Sequence, residues 1–157
     1  MASIRGKGTK PEIMVRKYLF SRGFRYRLNH PRLPGHPDIV LRKYRSVVFV
    51  NGCFWHGHEG CKYYVLPKTN VGFWKAKIER NRNRDLEEQR KLAEMGWHCI
   101  TVWECQLKPS VREKLWKPWL SPLTAFTWKT IVLSNAINYR KRKAQWQQNQ
   151  RVESFEF

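Results

Sequence analysis

Negative charge is scarce in this chain. Only 12 Asp and Glu stand against 31 Lys and Arg in 157 residues, a formal charge of +19. So lopsided a balance disfavours basic substrates and favours a polyanionic partner. Long hydrophobic runs are missing too. Stretches such as Val47–Val50 are far too short to cross a bilayer, and no apolar core of a secretion signal stands near the start. The expectation is a cytoplasmic, nucleoid-associated protein with no membrane partner. Cysteine is sparse, at 4 residues, which in such a setting favours metal ligation or burial over disulfides. Internal repeats are absent, and the length suits one domain with a tail. Aromatic residues, by contrast, are plentiful at 14%, with 8 Trp. Stacking on nucleic-acid bases uses such side chains, and so does a tight core.

Thr9-Lys10-Pro11-Glu12 reads as a helix start, with Thr9 as N-cap and Glu12 at the capping-box position, and Gly23 is the expected stop. Phe24 to Leu28 alternates as a strand. The loop from Asn29 to Pro37 holds three prolines, Asp38 opens a second strand, Arg42 to Arg45 forms a basic turn, and Ser46 to Asn51 forms a third strand. A long helix is expected from Asn70 to Met95, capped by Thr69 or Asn70 and ended by Gly96, followed by a strand from Trp97 to Glu104. The order is α-β-β-β-α-β. Signals weaken after Gln106, although residues 128–150 read as a basic helix.

The segment Gly52–Cys61 gathers Cys53, His56, His58 and Cys61 around Phe54 and Trp55. Thiols and imidazoles at this spacing suit Zn²⁺. Cys53-x4-His58-x2-Cys61 supplies three ligands, and Cys99 or Cys105 the fourth. Those two lie roughly 20 Å apart in an extended strand, so both cannot reach one ion. Cys105, just past a strand end, is preferred, with Cys99 as a buried thiol. Four protein ligands close the shell, so the zinc is expected to be structural. His56 has the wrong parity to share a face with His58 and is left for proton transfer, to which imidazole is suited near neutrality.

Asp38, at a strand edge after a Pro/Gly loop, is a candidate Mg²⁺ ligand. Glu12 shares a helix face with Val15, Arg16 and Leu19, and is equally well read as a capping-box residue. Asp85 lies a heptad from both Ile78 and Leu92, on the apolar stripe of the long helix, where an acid needs a partner. An ion pair within the helix, with Arg82 or Gln89, is the plainer alternative.

The element order resembles the restriction-endonuclease-like core of the PD-(D/E)XK nucleases, an α/β fold with a mixed sheet flanked by helices. Phe49-Val50-Asn51 stands where the acid-x-lysine triplet of that core would be. More specifically, Thr9-x-x-Glu12, Leu33-Pro34-Gly35-His36-Pro37-Asp38, Val48 through His58, Phe73-Trp74, Arg84-Asp85, Gly96-Trp97 and Val102-Trp103-Glu104-Cys105 make the chain similar to the very-short-patch repair (Vsr) DNA mismatch endonucleases. The likeness spans residues 9–107. It implies a nuclease core over 1–107 with a structural zinc site; residues 108–157, which have no counterpart in the likeness, read from their composition as a basic, aromatic-rich, partly helical extension. It also implies a Mg²⁺-dependent monomer that acts on double-stranded DNA and nicks one strand 5′ of the T in a T:G mismatch left by deamination of 5-methylcytosine, with mismatch-repair proteins as further partners.

By the same resemblance, Asp38 and the Val50 carbonyl bind Mg²⁺, and His56, Glu12 and Asp85 complete the catalytic site. Cys53, His58, Cys61 and Cys105 hold zinc, and Phe54, Trp55 and Trp74 wedge into the duplex. Asn51 stands at the second active-site imidazole position, where the family carries histidine. The arm before Thr9 is short, and one residue is inserted between His58 and Cys61. The Lys and Arg of the basic turn and the tail are expected to hold the DNA backbone. Two other readings are a related restriction or defence nuclease without T:G preference, and a zinc-stapled DNA-binding module without chemistry.

Overall fold

The computed structural model describes residues 8–116, all but the last of them in the first of two units, Met1–Leu115 and Trp116–Phe157. The basic helix expected over 128–150 lies outside the described residues.

Helix α1, Lys10–Ser21, starts with the capping box anticipated from Thr9 and Glu12: the Glu12 amide donates to Thr9 Oγ1 at 3.5 Å, and the Thr9 amide donates to Glu12 Oε1 at 3.3 Å. It ends at Arg22, where Gly23 takes φ +82°. Strand β1 is Arg27–Leu28 only, shorter than the stretch expected from Phe24. It pairs antiparallel with strand β2, Ile39–Leu41, in the register Arg27↔Val40. Continuing that register backwards would set Phe24 and Arg25 against Arg42 and Lys43, but the chain turns there in a short 3-10 helix, Arg42–Tyr44, so no ladder partner exists. Phe24 is still buried, its ring 5.3 Å from that of Tyr44.

Strand β3, Ser46–Asn51, pairs antiparallel with β2 and parallel with β4, His98–Trp103. A parallel pair needs a crossover, and helix α2, Val71–Glu94, supplies it. Asn70 stands at the cap of α2 in a left-handed conformation, φ 53°, and its side chain makes no capping bond. A 3-10 turn, Glu104–Leu107, follows β4, and α3, Arg112–Trp116, ends the described chain. The result is a mixed four-stranded sheet ordered β1-β2-β3-β4. Val40 and Val47 pack with Leu33 and with Leu92 of α2, and Phe49, Trp97 and Cys99 close around them. No helix among the described residues is long and apolar enough to cross a membrane.

This topology decides where chemistry can gather. β3 and β4 run in the same direction and β2 opposes them. The start of β2 at Asp38, the end of β3 at Asn51 and the end of β4 at Trp103 therefore meet at one end of the sheet. The basic turn Arg42–Arg45 stands at the other end. There Arg45 donates to the Met95 carbonyl at 2.9 Å and lies over the Trp97 ring, so this turn does not line the same end as Asp38.

Candidate active site and metal centre

Asp38 sits one residue before β2, where the ladder with β3 has stopped at Ile39↔Val48. The next inward-facing amide of β3, that of Val50, has lost its strand partner. Asp38 Oδ2 accepts it instead, at 2.8 Å, so a side chain completes the ladder and a part-buried donor is satisfied. Burial pushes the Asp38 carboxyl up to about 6. The Val50 amide lowers it, Glu12 raises it, and the charges of Arg16 and His56 lower it. Glu12, Arg16 and His56 thus all lie within electrostatic reach of Asp38.

Glu12 is buried, at 3% exposure. Its Oε1 accepts from Thr9 Oγ1 at 2.9 Å, and its Oε2 from the Gly8 amide at 3.0 Å and from Arg16 Nη2 at 2.6 Å. Glu12 caps α1 and is buried on the inward face of that helix, where its charge raises Asp38. Both its oxygens are occupied, which leaves Asp38 Oδ1 as the less encumbered acceptor for a cation.

His56 Nδ1 meets Asp85 Oδ2 in a short contact between half-buried groups. A carboxylate only accepts, so the ring proton sits on Nδ1 and Nε2 keeps its lone pair. Asp85 does lie on the inward stripe of α2, midway between buried Ile78 and Leu92. Its partner, however, is neither Arg82 nor Gln89: Arg82 pairs with Glu59 at 2.6 Å, and Gln89 donates to Thr101 Oγ1 at 3.4 Å. Asn51 is buried at the end of β3 opposite Trp103 and makes no polar contact with Asp38 or His56 among the described residues.

The loop that carries His56 is held against α2 at two points that sequence reasoning did not single out. Asn81 Nδ2 donates to the Trp55 carbonyl at 3.0 Å. Gly57, at φ +58°, lies so close to α2 that a Cβ would come within 2.8 Å of Ile78 Cγ2 and 2.9 Å of Arg82 Cδ. Asn81 could have been found, since it stands one helical turn before Asp85 on the same face. Arg16 was also passed over as a site residue, and its only signal was its place one turn after Glu12.

Cys53, His58, Cys61 and Cys105 bring one ligand atom each to within 4.8 Å of one another. A tetrahedral zinc with Zn–S near ~2.3 Å sets its ligand atoms about 3.8 Å apart, so a small contraction of this cluster would seat the ion. Cys105 Sγ lies 3.5 Å from His58 Nδ1, and the His58 ring stacks on Trp103 at 4.1 Å. Burial pushes the Cys53 thiol up to about 12, so metal binding there must displace a proton. Cys99 is outside the cluster. Its thiol faces the Gln89 carbonyl at 3.8 Å, and burial pushes it up to about 12 as well.

Phe54, Trp55 and Trp74 form a half-exposed triangle of rings with centroids 5.2, 5.5 and 5.9 Å apart, all in edge or tilted contact. Phe54 and Trp55 therefore do not fold into the cysteine cluster but lean on the first turn of α2. Phe73 joins them, 5.3 Å from Trp74 and 56% exposed, and Lys77 Nζ lies over Trp55, Phe73 and Trp74 at 5.4 to 5.6 Å.

Residues 1–62 match the family profile described as DNA mismatch endonuclease Vsr. The chain is 50% identical over 117 residues to the type II nicking enzyme V.NmeAIP of Neisseria meningitidis, covering 73% of this chain and 83% of that protein. It is 50% identical over 107 residues to the type II nicking enzyme V.XorIIP of Xanthomonas oryzae pv. oryzae, covering 68% and 78%. It is 40% identical over 115 residues to the DNA mismatch endonuclease Vsr of Escherichia coli, covering 73% and 72%. Identity of this degree, over most of both chains, carries the same conclusion as the clustered acids, imidazoles and thiols: the chain belongs to the Vsr DNA mismatch endonuclease family.

Proposed function

We propose that this protein is a Mg²⁺-dependent DNA endonuclease that nicks one strand of a duplex on the 5′ side of the thymine in a T:G mismatch. The observation that carries the proposal is the convergence of Asp38 with the His56–Asp85 pair at one end of the sheet, next to an exposed aromatic cluster. The names of the relatives, mismatch endonuclease and nicking enzyme, support strand cleavage. The reading places a restriction-endonuclease-like core in residues 1–107, with 108–157 as a basic extension, and has the protein act as a monomer.

Asp38 and the Val50 carbonyl would hold Mg²⁺, which supplies Lewis-acid stabilisation of charge at the phosphate when bound. The rest falls to the chain's own groups. His56 Nε2 accepts the proton of the attacking water, and Asp85 holds the ring at Nδ1 in the tautomer that allows it. Glu12, fixed by Thr9 and Arg16, adds negative charge beside Asp38. Asn51, at the end of β3, occupies the second imidazole position without a titrating group, which leaves proton transfer to His56. Cys53, His58, Cys61 and Cys105 hold a structural zinc that ties the loop after β3 to the turn after β4. Phe54, Trp55 and Trp74 wedge into the duplex. Opening a base step costs about a few kcal/mol, and a mismatched step costs less, so discrimination arises partly from deformability.

A strand-resolved cleavage assay with Mg²⁺, on T:G, matched and other mismatched duplexes, tests the reading. Nicking confined to the T strand of the T:G duplex and lost when Mg²⁺ is left out is the expected outcome. Equal nicking of matched duplexes would favour a restriction or defence nuclease instead. Tight binding without nicking in Mg²⁺ or Mn²⁺ would leave only a DNA-binding module.

A further inference from the structure

The acids of this site outnumber its cations. Glu12, Asp38 and Asp85 converge with one imidazole, and a DNA phosphate brought among them meets repulsion that a single metal ion must offset alone. A fixed cation at the mouth would share that task. Arg16 cannot supply it: its side chain is 15% exposed and locked to Glu12. The arginines of α2 divide by what holds them. Arg82 is paired with Glu59, and Arg90 with Glu87 and Glu94. Arg80 donates to its own helix, at the Ala76 carbonyl.

Arg84 differs from all of these. Its side chain is 58% exposed and makes no hydrogen bond among the described residues. It stands between two carboxylates at the outer limit of ion pairing, Asp85 Oδ1 at 3.9 Å and Glu88 Oε1 at 4.0 Å. Asp85 is the residue that binds His56. Glu88 packs beneath the loop that leads into Asp38, so closely that a Cβ on Gly35 would come within 2.7 Å of Glu88 Oε2. The guanidinium thus lies beside two carboxylates, one of which holds His56 while the other borders the loop leading into Asp38, with its donors unspent.

Resting on the nuclease reading above, we infer that Arg84 is a catalytic residue that donates from its guanidinium to the nonbridging oxygens of the DNA phosphate being cleaved. The two flanking carboxylates aim it without satisfying it, and a phosphate is the planar fork's preferred partner.

The test uses the full chain carrying Arg84→Ala, Arg84→Lys, Arg90→Ala or Asp38→Ala, with single-turnover nicking of a T:G duplex, salt-dependent binding in Ca²⁺, and thermal melting. Arg84→Ala is expected to slow nicking about 10²-fold, the usual loss for one donor to a developing charge. It should also flatten the slope of log K against log salt by about 0.9, the value for one phosphate contact, and leave the melting temperature unchanged. Arg84→Lys should restore the salt slope and only part of the rate, because an ammonium lacks the fork. Arg90→Ala, at the far end of α2, should change neither. Wild-type nicking and an unchanged salt slope in Arg84→Ala would overturn the inference, as would a rate loss accompanied only by a lower melting temperature. Should Asp38→Ala still nick, the reading of the site falls, and the salt slope of Arg84→Ala alone then decides whether Arg84 meets a phosphate.

Discussion

His56 on the loop after β3 and Asp85 at the middle of α2, 29 residues apart in the chain, meet through Nδ1 and Oδ2. The contact leaves Nε2 as the one ring nitrogen able to take a proton. Asp85→Asn would present an amide donor to Nδ1 as readily as an acceptor and so admit the opposite tautomer. Nicking is expected to fall about 10³- to 10⁴-fold, as for the comparable carboxylate of a catalytic triad, with DNA affinity nearly unchanged. Single-turnover rates beside equilibrium binding check this; a drop in affinity equal to the drop in rate would assign Asp85 to binding instead.

Asp38 carries a stability cost that follows from its burial. Its carboxyl, ordinarily near 3.8, is raised to about 6 in the fold. The folded state therefore binds more protons than the unfolded chain between those two values. Stability is highest below the unfolded value, declines as pH rises through about 6, and stays at its lower level above. The full difference is about 3 kcal/mol at most, from roughly two units at ~1.4 kcal/mol each. Asp38→Asn keeps an oxygen for the Val50 amide and removes the charge. It is expected to melt higher than wild type at pH 7.5 without added Mg²⁺, to lose most of that advantage at pH 4.5, and to be inactive throughout. Melting curves at the two pH values, with and without Mg²⁺, check it.

On the proposed reading, removing zinc should disarm the loop that carries His56 as well as loosen the fold, because His56 lies between Cys53 and His58, two of the four residues that could hold the ion. Cys105→Ala is expected to lose bound zinc, to melt well below wild type and to nick poorly, while Cys99→Ala retains zinc because its thiol faces Gln89 instead. Elemental analysis of the two purified variants, followed by melting with a chelator, separates the cases. Zinc retained by Cys105→Ala would remove Cys105 from the ligand set.

Gly57 is where that loop comes closest to α2. Its positive φ and the absence of space for a Cβ against Ile78 and Arg82 predict that Gly57→Ala costs about 1–3 kcal/mol. Because His56 is the preceding residue, kcat should fall along with stability. A variant that melts as wild type would show that the loop has room the geometry denies it.

Local signals carried much of this architecture. The capping box of α1, the glycine stops at Gly23 and Gly96, and the span of α2 follow from neighbours within a turn or two, and the structure repeats them with shifts of a residue or so. What failed was set by tertiary partners. Phe24 to Tyr26 alternate like a strand, but β2 ends at Leu41 and offers Phe24 and Arg25 nothing to pair with. Asp85 was conspicuous as an acid on an apolar stripe, yet its partner comes from another element, and no spacing within α2 reveals it. Asn70 has the right residue type for an N-cap, but its backbone is left-handed rather than extended and its side chain makes no capping bond. The bond from Asp38 to the Val50 amide depends on where two strands part, a matter of register rather than composition.

The aromatic triangle gives the sharpest test of mismatch recognition. Trp74 contacts Phe54, Trp55 and Phe73 from the first turn of α2, so it supports whichever ring enters the duplex. If insertion occurs only where stacking is already weak, then losing Trp74 removes a contact present on T:G DNA and absent on matched DNA. Trp74→Ala is expected to weaken binding to a T:G duplex by about 10- to 100-fold, the equivalent of ~1–3 kcal/mol for one base–aromatic stack, and to leave binding to the matched duplex nearly unchanged. Trp74→Phe keeps a ring in the cluster and should recover most of the loss, which separates stacking from simple collapse of the triangle. Equilibrium binding of both variants to both duplexes decides the matter. Equal weakening on matched and mismatched DNA would mean that the cluster grips the duplex from outside, and the source of T:G discrimination would have to lie elsewhere in the chain.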